Sequence, residues 1–433
     1  MALARETSRK GGNVILKKTL YKILFSVFAM ATLSSQAQDL VYKTCPKISE
    51  IKTLQTLVDG DYMGLPVIDV KQNQSVVISF DYLSDEQPWL SYSLVHCDAE
   101  WRVDGLNEAE YVEGFFPVRI TDVEPSFNTI IPYYHHKLNI PNEDISLKAS
   151  GNYAVLIHPE DDLDRVVAVA TFSVSEQQVF VSGHVDVNTD IDFRQTHQQL
   201  SLSLSWNQNV LPFVNPATDL LLTVRQNRRD ETRRCLSSPT IINAGNATYE
   251  HKRDLIFEAG NNYRRFEFTD VRYAVLGVSS VVYEPPYYKA LLYTDQPRTQ
   301  GSYLYDKDQK GRYVIHALNT DDENIEAEYF KACFMLKAPS SLDGCAIFLQ
   351  GDFTYGEYTD DFRLEYDAQD DAYYKEVLLK QGAYNYQYVV GNSPSAIEGN
   401  YYETPNEYDI YVYYRPSGAR YDRLLGSFLL KNE

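Results

Sequence analysis

The sequence predicts an all-β protein made of tandem immunoglobulin-like β-sandwich domains. Apolar and polar residues alternate with a period of two along most of the chain, whereas the 3.6-residue period of amphipathic helices is scarce. Clusters of Asn, Asp, Gly and Pro interrupt this alternation at short intervals, which is typical of sandwiches. Tyrosine is the main aromatic residue, with 35 Tyr against 19 Phe and 3 Trp. It suits strands that have one solvated face and one buried face.

The clearest predicted strands combine this alternation with turn residues on both sides. They cover residues 75–82, 153–158, 166–174, 200–206, 220–226, 329–336, 346–350, 384–390 and 408–414.

The first 37 residues are predicted to be a cleaved signal peptide. Basic residues precede an apolar run at 23–33, and Ser35 and Ala37 supply the small side chains expected before a cleavage site. The run is short for a membrane-spanning helix, although a retained anchor is the alternative. We therefore expect a soluble exported protein that begins at Gln38.

The remaining chain is strongly acidic. The whole sequence has 40 Lys and Arg against 60 Asp and Glu. Six of the basic residues and one acidic residue lie within the first 37, which leaves 34 against 59, a net charge of −25. This charge argues against binding to nucleic acid or to anionic lipid surfaces, and solubility is its simplest explanation.

Three domains are predicted after the signal peptide. The first, 38–175, closes on the predicted strand VVAVATFSVS, and the second, 176–325, opens with QVFVSGHVDV. A polar stretch at 319–324 then resembles a linker. The third, 326–433, has the length of one immunoglobulin-like domain.

No catalytic residues, metal site or cofactor are predicted. The chain lacks the GxSxG, HExxH, Walker and GxGxxG motifs. Glycoside hydrolysis needs two carboxylates held across a bound sugar, a geometry that adjacent acids on turns do not encode. The acidic doublets are 161–162, 321–322, 360–361 and 370–371. We interpret them as solvated turns, and a hydrolase is the least favoured of the functions considered.

Histidine, cysteine and arginine patterns also favour structural roles. His135 and His136 are neighbours on a predicted strand and face opposite sides, so they are unsuited to sharing a metal. Cys333 and Cys345 could form a disulfide, but buried free thiols are the favoured interpretation. Arg264 and Arg265 could clamp a carboxylate or phosphate, whereas pairing with acids of the same chain is the simpler expectation.

An aromatic row on the predicted strand 384–390 raises a second functional possibility. Tyr384, Tyr386 and Tyr388 lie on one face, and this strand resembles the closing strand of glycogen-binding modules. Such modules rely on Trp, but Trp89, Trp101 and Trp206 all lie outside 326–433. A carbohydrate-binding accessory protein is therefore the alternative function, and a core-filling role for the row is the simpler interpretation.

Several segments together resemble one family, the plug proteins of the type IX secretion system. They are HCDAEW (96–101), EYVEGF (110–115), SFNTIIPYYHHKL (126–138), NNYRRFEF (261–268), KQGAYNYQYV (380–389) and GNYYETPNEYDIYVYYRPSGARYDRLLG (399–426). The resemblance implies a periplasmic, non-enzymatic protein of β-sandwich domains. It also implies binding to the periplasmic mouth of a large outer-membrane β-barrel translocon, whose pore the protein seals when no cargo is passing.

Two tyrosine-rich segments are the candidate contacts with that partner. In YEPPYYKALLY, Pro285 and Pro286 stiffen the chain next to the aromatic side chains of Tyr287 and Tyr288. In NYYETPNEY, the candidates are the consecutive residues Tyr401 and Tyr402. The alternative is that both segments are ordinary loops packed on their own domain.

Overall fold

The structure, a computed structural model, describes residues 40–69, 71–72, 74–211, 215–338, 342, 344–391 and 393–432. The predicted signal peptide lies outside the described residues. None of the described helices is long and apolar enough to cross a membrane.

Nearly all regular structure in the described chain is β-strand. In chain order the strands are β1 Cys45–Pro46, β2 Ile51–Val58, β3 Val67–Asp69, β4 Val76–Tyr82, β5 Leu90–Cys97, β6 Val112–Glu113, β7 Val118–Arg119, β8 Asp122–Pro125, β9 Tyr134–Ile140, β10 Ser146–Leu147, β11 Gly151–Pro159, β12 Ala168–Ser175, β13 Val179–Asp186, β14 His197–Trp206, β15 Leu220–Gln226, β16 Arg234–Leu236, β17 Ile241–Asn243, β18 Asn246–Tyr249, β19 Ile256–Glu258, β20 Arg264–Phe268, β21 Val278–Glu284, β22 Tyr287–Leu292, β23 Tyr313–Ile315, β24 Tyr329–Leu336, β25 Ile347–Gln350, β26 Glu365–Asp367, β27 Ala372–Lys380, β28 Gly382–Val390, β29 Glu407–Tyr414 and β30 Arg423–Lys431. The helical segments are single turns: α1 Glu108–Tyr111, α2 Pro216–Asp219, α3 Glu323–Glu326 and α4 Ser395–Glu398, with 3-10 turns at Asp230–Thr232, Arg253–Leu255 and Asp352–Thr354.

These strands confirm the prediction of an all-β fold with several sandwiches. Each strand predicted from the alternation has an observed counterpart, for example β4, β15, β24 and β28. The physical reason is visible in β4, where Val76, Ile78 and Phe80 are buried and the residues between them are only partly covered. Period-two alternation thus reports which face of a strand is turned to the core.

The first sandwich is built from β1 to β12. One sheet has the order β1-β12-β11-β5-β7, with β3 also on β12, and the other has the order β2-β4-β9-β8. Their facing side chains form one hydrophobic core that includes Phe80, Tyr153 and Phe172.

The second sandwich combines two distant parts of the chain. One sheet has the order β13-β14-β18-β17, with β19 also on β14. The other has the order β16-β15-β29-β30, and β29 pairs antiparallel with β15 from Leu220 opposite Tyr414 to Gln226 opposite Tyr408. The core between them contains residues from both parts, such as Leu222 and Ile410.

The third sandwich lies between β19 and β29 in the sequence. Strand β28 pairs with β20, β23 and β25, and the facing sheet has the order β21-β22-β24-β27-β26. Phe266, Phe334 and Tyr384 pack in its core. The third sandwich is therefore inserted into the second.

This pairing differs from the domain division 176–325 and 326–433. Strands β20, β21 and β22, expected in the second domain, contribute to the third core, whereas β29 and β30, expected in the third, contribute to the second. The alternation in β29 predicts a strand but does not name its partner, which is set by long-range pairing rather than by position in the sequence.

Candidate partner-binding surface

The hairpin between β21 and β22 projects the first predicted contact into solvent. Tyr283 lies opposite Tyr288 and Glu284 opposite Tyr287, so Pro285 and Pro286 form a two-residue turn. Both prolines are exposed. We call residues 285–288 the hairpin tip.

The two tyrosines of the hairpin tip are only partly exposed. Tyr288 packs on the third core and its ring lies 4.9 Å from that of Tyr283. The ammonium group of Lys331 lies 5.0 Å from the ring centre of Tyr287. The most exposed apolar side chains next to the tip are instead Val282 and Tyr283, at 46% and 50%. They belong to β21, the outermost strand of its sheet.

The second predicted segment lies against the junction of the second and third sandwiches. The Tyr401 hydroxyl donates to the Arg298 carbonyl at 2.7 Å, and its amide donates to the Gly260 carbonyl at 2.9 Å. The Tyr402 amide donates to the Gln195 carbonyl, and both side chains are half-buried. These contacts anchor the segment. They favour the alternative that Tyr401 and Tyr402 belong to a loop packed on the protein itself and are not a contact with the partner.

The aromatic row on β28 is buried. Tyr384, Tyr386 and Tyr388 are at most 4% exposed and pack in the third core. The hydroxyls of Tyr386 and Tyr388 both donate to Asp295, at 2.8 and 2.7 Å. The row therefore fills a core, as the simpler interpretation expected, and offers no platform for a sugar.

Charged groups beside this row pair with one another. Arg264 donates to Asp295 at 2.6 Å and to the buried carboxylate of Glu398 at 3.1 Å, and Arg298 donates to Glu398 at 2.8 Å. Burial opposes ionisation of Glu398, but Arg264 and Arg298 outweigh it and lower its pKa. Arg265 pairs separately with Asp306. Arg264 and Arg265 are thus both paired with acids of the same chain, as expected.

The remaining residues considered for chemistry are dispersed. His136 stacks on Phe80, and burial lowers its pKa to about 4, whereas His135 bonds to Asp81. The five cysteines are free; Cys333 is buried as expected, but Cys345 is exposed. Within the described part of the chain, no group of three or more His, Cys, Asp and Glu side chains could hold a metal.

A buried ionic cluster that no local pattern in the sequence indicates joins the first and third sandwiches. Asp81 on β4 accepts bonds from Lys380 on β27 and from the hydroxyl of Tyr329 on β24, both at 2.7 Å. Burial opposes the charge on Asp81, but Lys380 and His135 outweigh it and hold the pKa of the carboxyl below its ordinary value. Removing one partner of such a pair would leave an uncompensated buried charge, so the cluster fixes how these sandwiches pack.

Similar contacts join the other sandwiches. Between the first and second, the Ala99 amide donates to Asp422 at 2.7 Å, and the Tyr413 hydroxyl donates to Asn152 at 3.0 Å. Near the start of β29, Glu407 accepts a bond at 2.6 Å from Arg312, which precedes β23 of the third sandwich. The chain is thus a multi-sandwich protein whose sandwiches are joined by buried polar contacts.

Comparison with known proteins identifies the family. The family described as "Type 9 secretion system plug protein 1st domain" matches residues 51–176, which span β2 to β12 of the first sandwich. The crystal structure of a hypothetical protein from Parabacteroides merdae is 39% identical, covers 91% of this chain and 100% of that chain, and superposes with a TM-score of 0.87. No curated protein matches the chain. The chain belongs to the type 9 secretion system plug protein family, which associates it with secretion through the cell envelope.

Proposed function

We propose that this protein is a non-enzymatic periplasmic plug of the type 9 secretion system. In this role it binds the periplasmic mouth of a large outer-membrane β-barrel translocon and seals the pore while no cargo is in transit. Membership of the plug family is the observation that carries the proposal.

The packing of the sandwiches supports a sealing role. A seal over a wide opening depends on a large complementary surface, and such a surface is effective only if its parts keep their relative positions. The buried pair of Asp81 and Lys380, together with that of Arg312 and Glu407, supplies this rigidity.

The hairpin tip is the proposed contact with the barrel. Its prolines restrict the backbone of the free protein, so little conformational entropy is lost when a partner binds. Val282 and Tyr283 add exposed apolar surface beside it, and aromatic side chains are enriched in interface cores.

The test is co-purification of the barrel from solubilised outer membranes by the tagged protein. Replacement of the turn residues Pro285 and Pro286 by Asn-Gly, together with Tyr287→Ser, keeps the strand pairing of the hairpin and should reduce recovery of the barrel and increase the permeability of the outer membrane to large antibiotics. The matched control replaces the exposed Ile241 and Ile242 of the edge strand β17 by serine. Recovery of the barrel equal to that of the wild type would remove the hairpin tip from the interface, and failure of the wild-type protein to recover any barrel would refute the plug role.

A further inference from the structure

A cleft of about 520 Å³ lies between the first and third sandwiches. Residues 45–53, at the start of the first sandwich, form one wall, and residues 375–380 of β27 form the other. Aromatic side chains that include Tyr355 and Tyr384 line it as well. The cleft is separate from the hairpin tip, which is the proposed contact with the barrel.

The wall formed by β27 presents an unpaired strand edge. Strand β27 pairs with β24 from Tyr373 to Lys380 but with β26 only from Ala372 to Tyr374. Among the described residues no strand continues β26 alongside 375–379. Because consecutive residues of β27 line the cleft, its edge, and not only one face, is turned toward the opening. Such an edge is a template for an added strand, and at about 3.3 Å per residue it accommodates four or five residues.

The opposite wall contains a strained residue. Thr53 has a φ of 54°, in the left-handed region that is a genuine outlier for a β-branched side chain, and it lies where β2 bulges between Lys52 and Gln55. The Thr53 hydroxyl bonds to that of Tyr329 at 2.7 Å, and the Leu54 amide donates to the Tyr355 hydroxyl at 2.9 Å. Bulges and strained backbone re-aim side chains at functional sites, and Lys52 is the side chain that this bulge brings to the cleft.

The cleft has a surplus of positive charge. Two of its carboxylates are already paired, Glu376 with Lys289 and Lys331, and Glu357 with Lys43. Three of its lysines have no carboxylate within 4 Å among the described residues, and these are Lys47, Lys52 and Lys375. The remaining carboxylate of the cleft is Asp361, which is exposed and forms no ion pair among the described residues. Burial lowers the pKa of Lys52, and Asp361 and Glu50 offset this only in part.

We propose that this cleft binds an extended peptide segment that adds to the edge of β27 and places a carboxylate side chain against Lys52. The strand edge selects a peptide because it offers backbone donors and acceptors in a row. The lysines select an acidic peptide because Lys47 and Lys52 have no carboxylate within 4 Å among the described residues, whereas Lys375 already donates to the Asp360 carbonyl at 2.6 Å.

In the experiment, random peptides displayed on phage are selected against the purified protein. The affinity of the enriched peptides is then measured by fluorescence polarisation. We expect enriched peptides to contain Asp or Glu. Lys52→Gln should weaken their binding at least roughly tenfold, since a hydrogen bond to a charged group is lost. Ser49→Trp, at an exposed position on the rim, should block binding, whereas Lys307→Gln, an exposed lysine outside the cleft, should leave it unchanged.

Hydrogen exchange separates strand addition from simple charge attraction. A bound peptide should slow amide exchange within residues 375–379. The proposal is overturned if no peptide is enriched, or if enriched peptides bind both cleft variants as tightly as the wild type. Displacement of the peptides by succinate, without protection of β27, would indicate a site for small carboxylates and would equally overturn it. The barrel is absent from these measurements, so their outcome is independent of the plug role.

Discussion

The hairpin tip and the segment 399–406 have similar compositions but opposite environments. Each contains paired tyrosines and at least one proline. Pro285 and Pro286 project into solvent, whereas Tyr401 is bonded to Arg298 and Gly260 and its neighbours are tied to the second sandwich. Tyrosine serves both environments because its ring is apolar and its hydroxyl finds partners when buried. Composition therefore identifies candidate interface segments. Whether such a segment is exposed or anchored depends on the contacts that its backbone and side chains make in the fold.

The largest expected effect concerns the anchor of the second segment. Glu398→Ala would leave Arg264 and Arg298 without their shared buried carboxylate, and we expect a loss of about 3–5 kcal/mol in the free energy of unfolding. Urea denaturation measures this loss. The control Glu357→Ala removes a half-buried acid that pairs only with Lys43 at 3.3 Å among the described residues, and it should cost less than about 1 kcal/mol. Equal losses for the two variants would show that the segment is not anchored through Glu398.

A smaller effect is expected within the segment itself. Tyr401→Phe removes the hydroxyl that donates to the Arg298 carbonyl and should destabilise the protein by about 1 kcal/mol without changing recovery of the barrel. Tyr402→Phe is the matched substitution, and it should be close to neutral because no hydrogen bond of its hydroxyl is present within the described residues. If Tyr401→Phe instead reduced barrel binding at unchanged stability, the segment would be a contact and the distinction drawn above would fail.

The ion pair between Glu376 on β27 and Lys289 on β22 should make the free energy of unfolding depend on pH. Burial opposes ionisation of Glu376, but hydrogen bonds from Lys289, Tyr374 and Lys331 outweigh it and lower its pKa to about 2. Because the folded-state pKa lies below the unfolded value, the stabilisation is present above about pH 4.5 and is lost as the pH falls toward 2. We expect Glu376→Gln to be less stable than the wild type at pH 7, by no more than about 1 kcal/mol. The difference should vanish in urea titrations near pH 2, and a difference that persists there would exclude the charge as its cause.

The smallest effect on stability is expected on β21, beside the hairpin tip. The variant Val282→Thr changes one exposed side chain of an edge strand and should alter the free energy of unfolding by less than about 0.5 kcal/mol. Its recovery of the barrel should nevertheless fall, since apolar surface at the proposed contact is lost. Thermal unfolding and co-purification together measure the two effects. Unchanged recovery would place the barrel contact elsewhere on the surface.

Local patterns in the sequence predicted the strands well because alternation is a local property. It placed β15 and β24 at their observed bounds and correctly favoured burial for Tyr384, Tyr386 and Tyr388. It did not indicate that β29 belongs to the second sandwich and not to the third domain 326–433, since its partner β15 lies far away in the sequence. Local patterns predict neither the bulge at Thr53 nor the unpaired edge of β27, because both depend on neighbours from other parts of the fold.

The insertion of the third sandwich into the second also sets an order of folding. Strand β15 emerges early in synthesis, but its partner β29 emerges only after the whole of the third sandwich, so the second core cannot close before then. The first and third sandwiches draw on continuous stretches of chain and are free of this delay. Bringing β15 and β29 together through an unfolded intervening chain would carry a loop-closure penalty, which a folded third sandwich reduces by holding its two ends near each other. The hairpin β29–β30 therefore completes the second core only after the third sandwich has been synthesised.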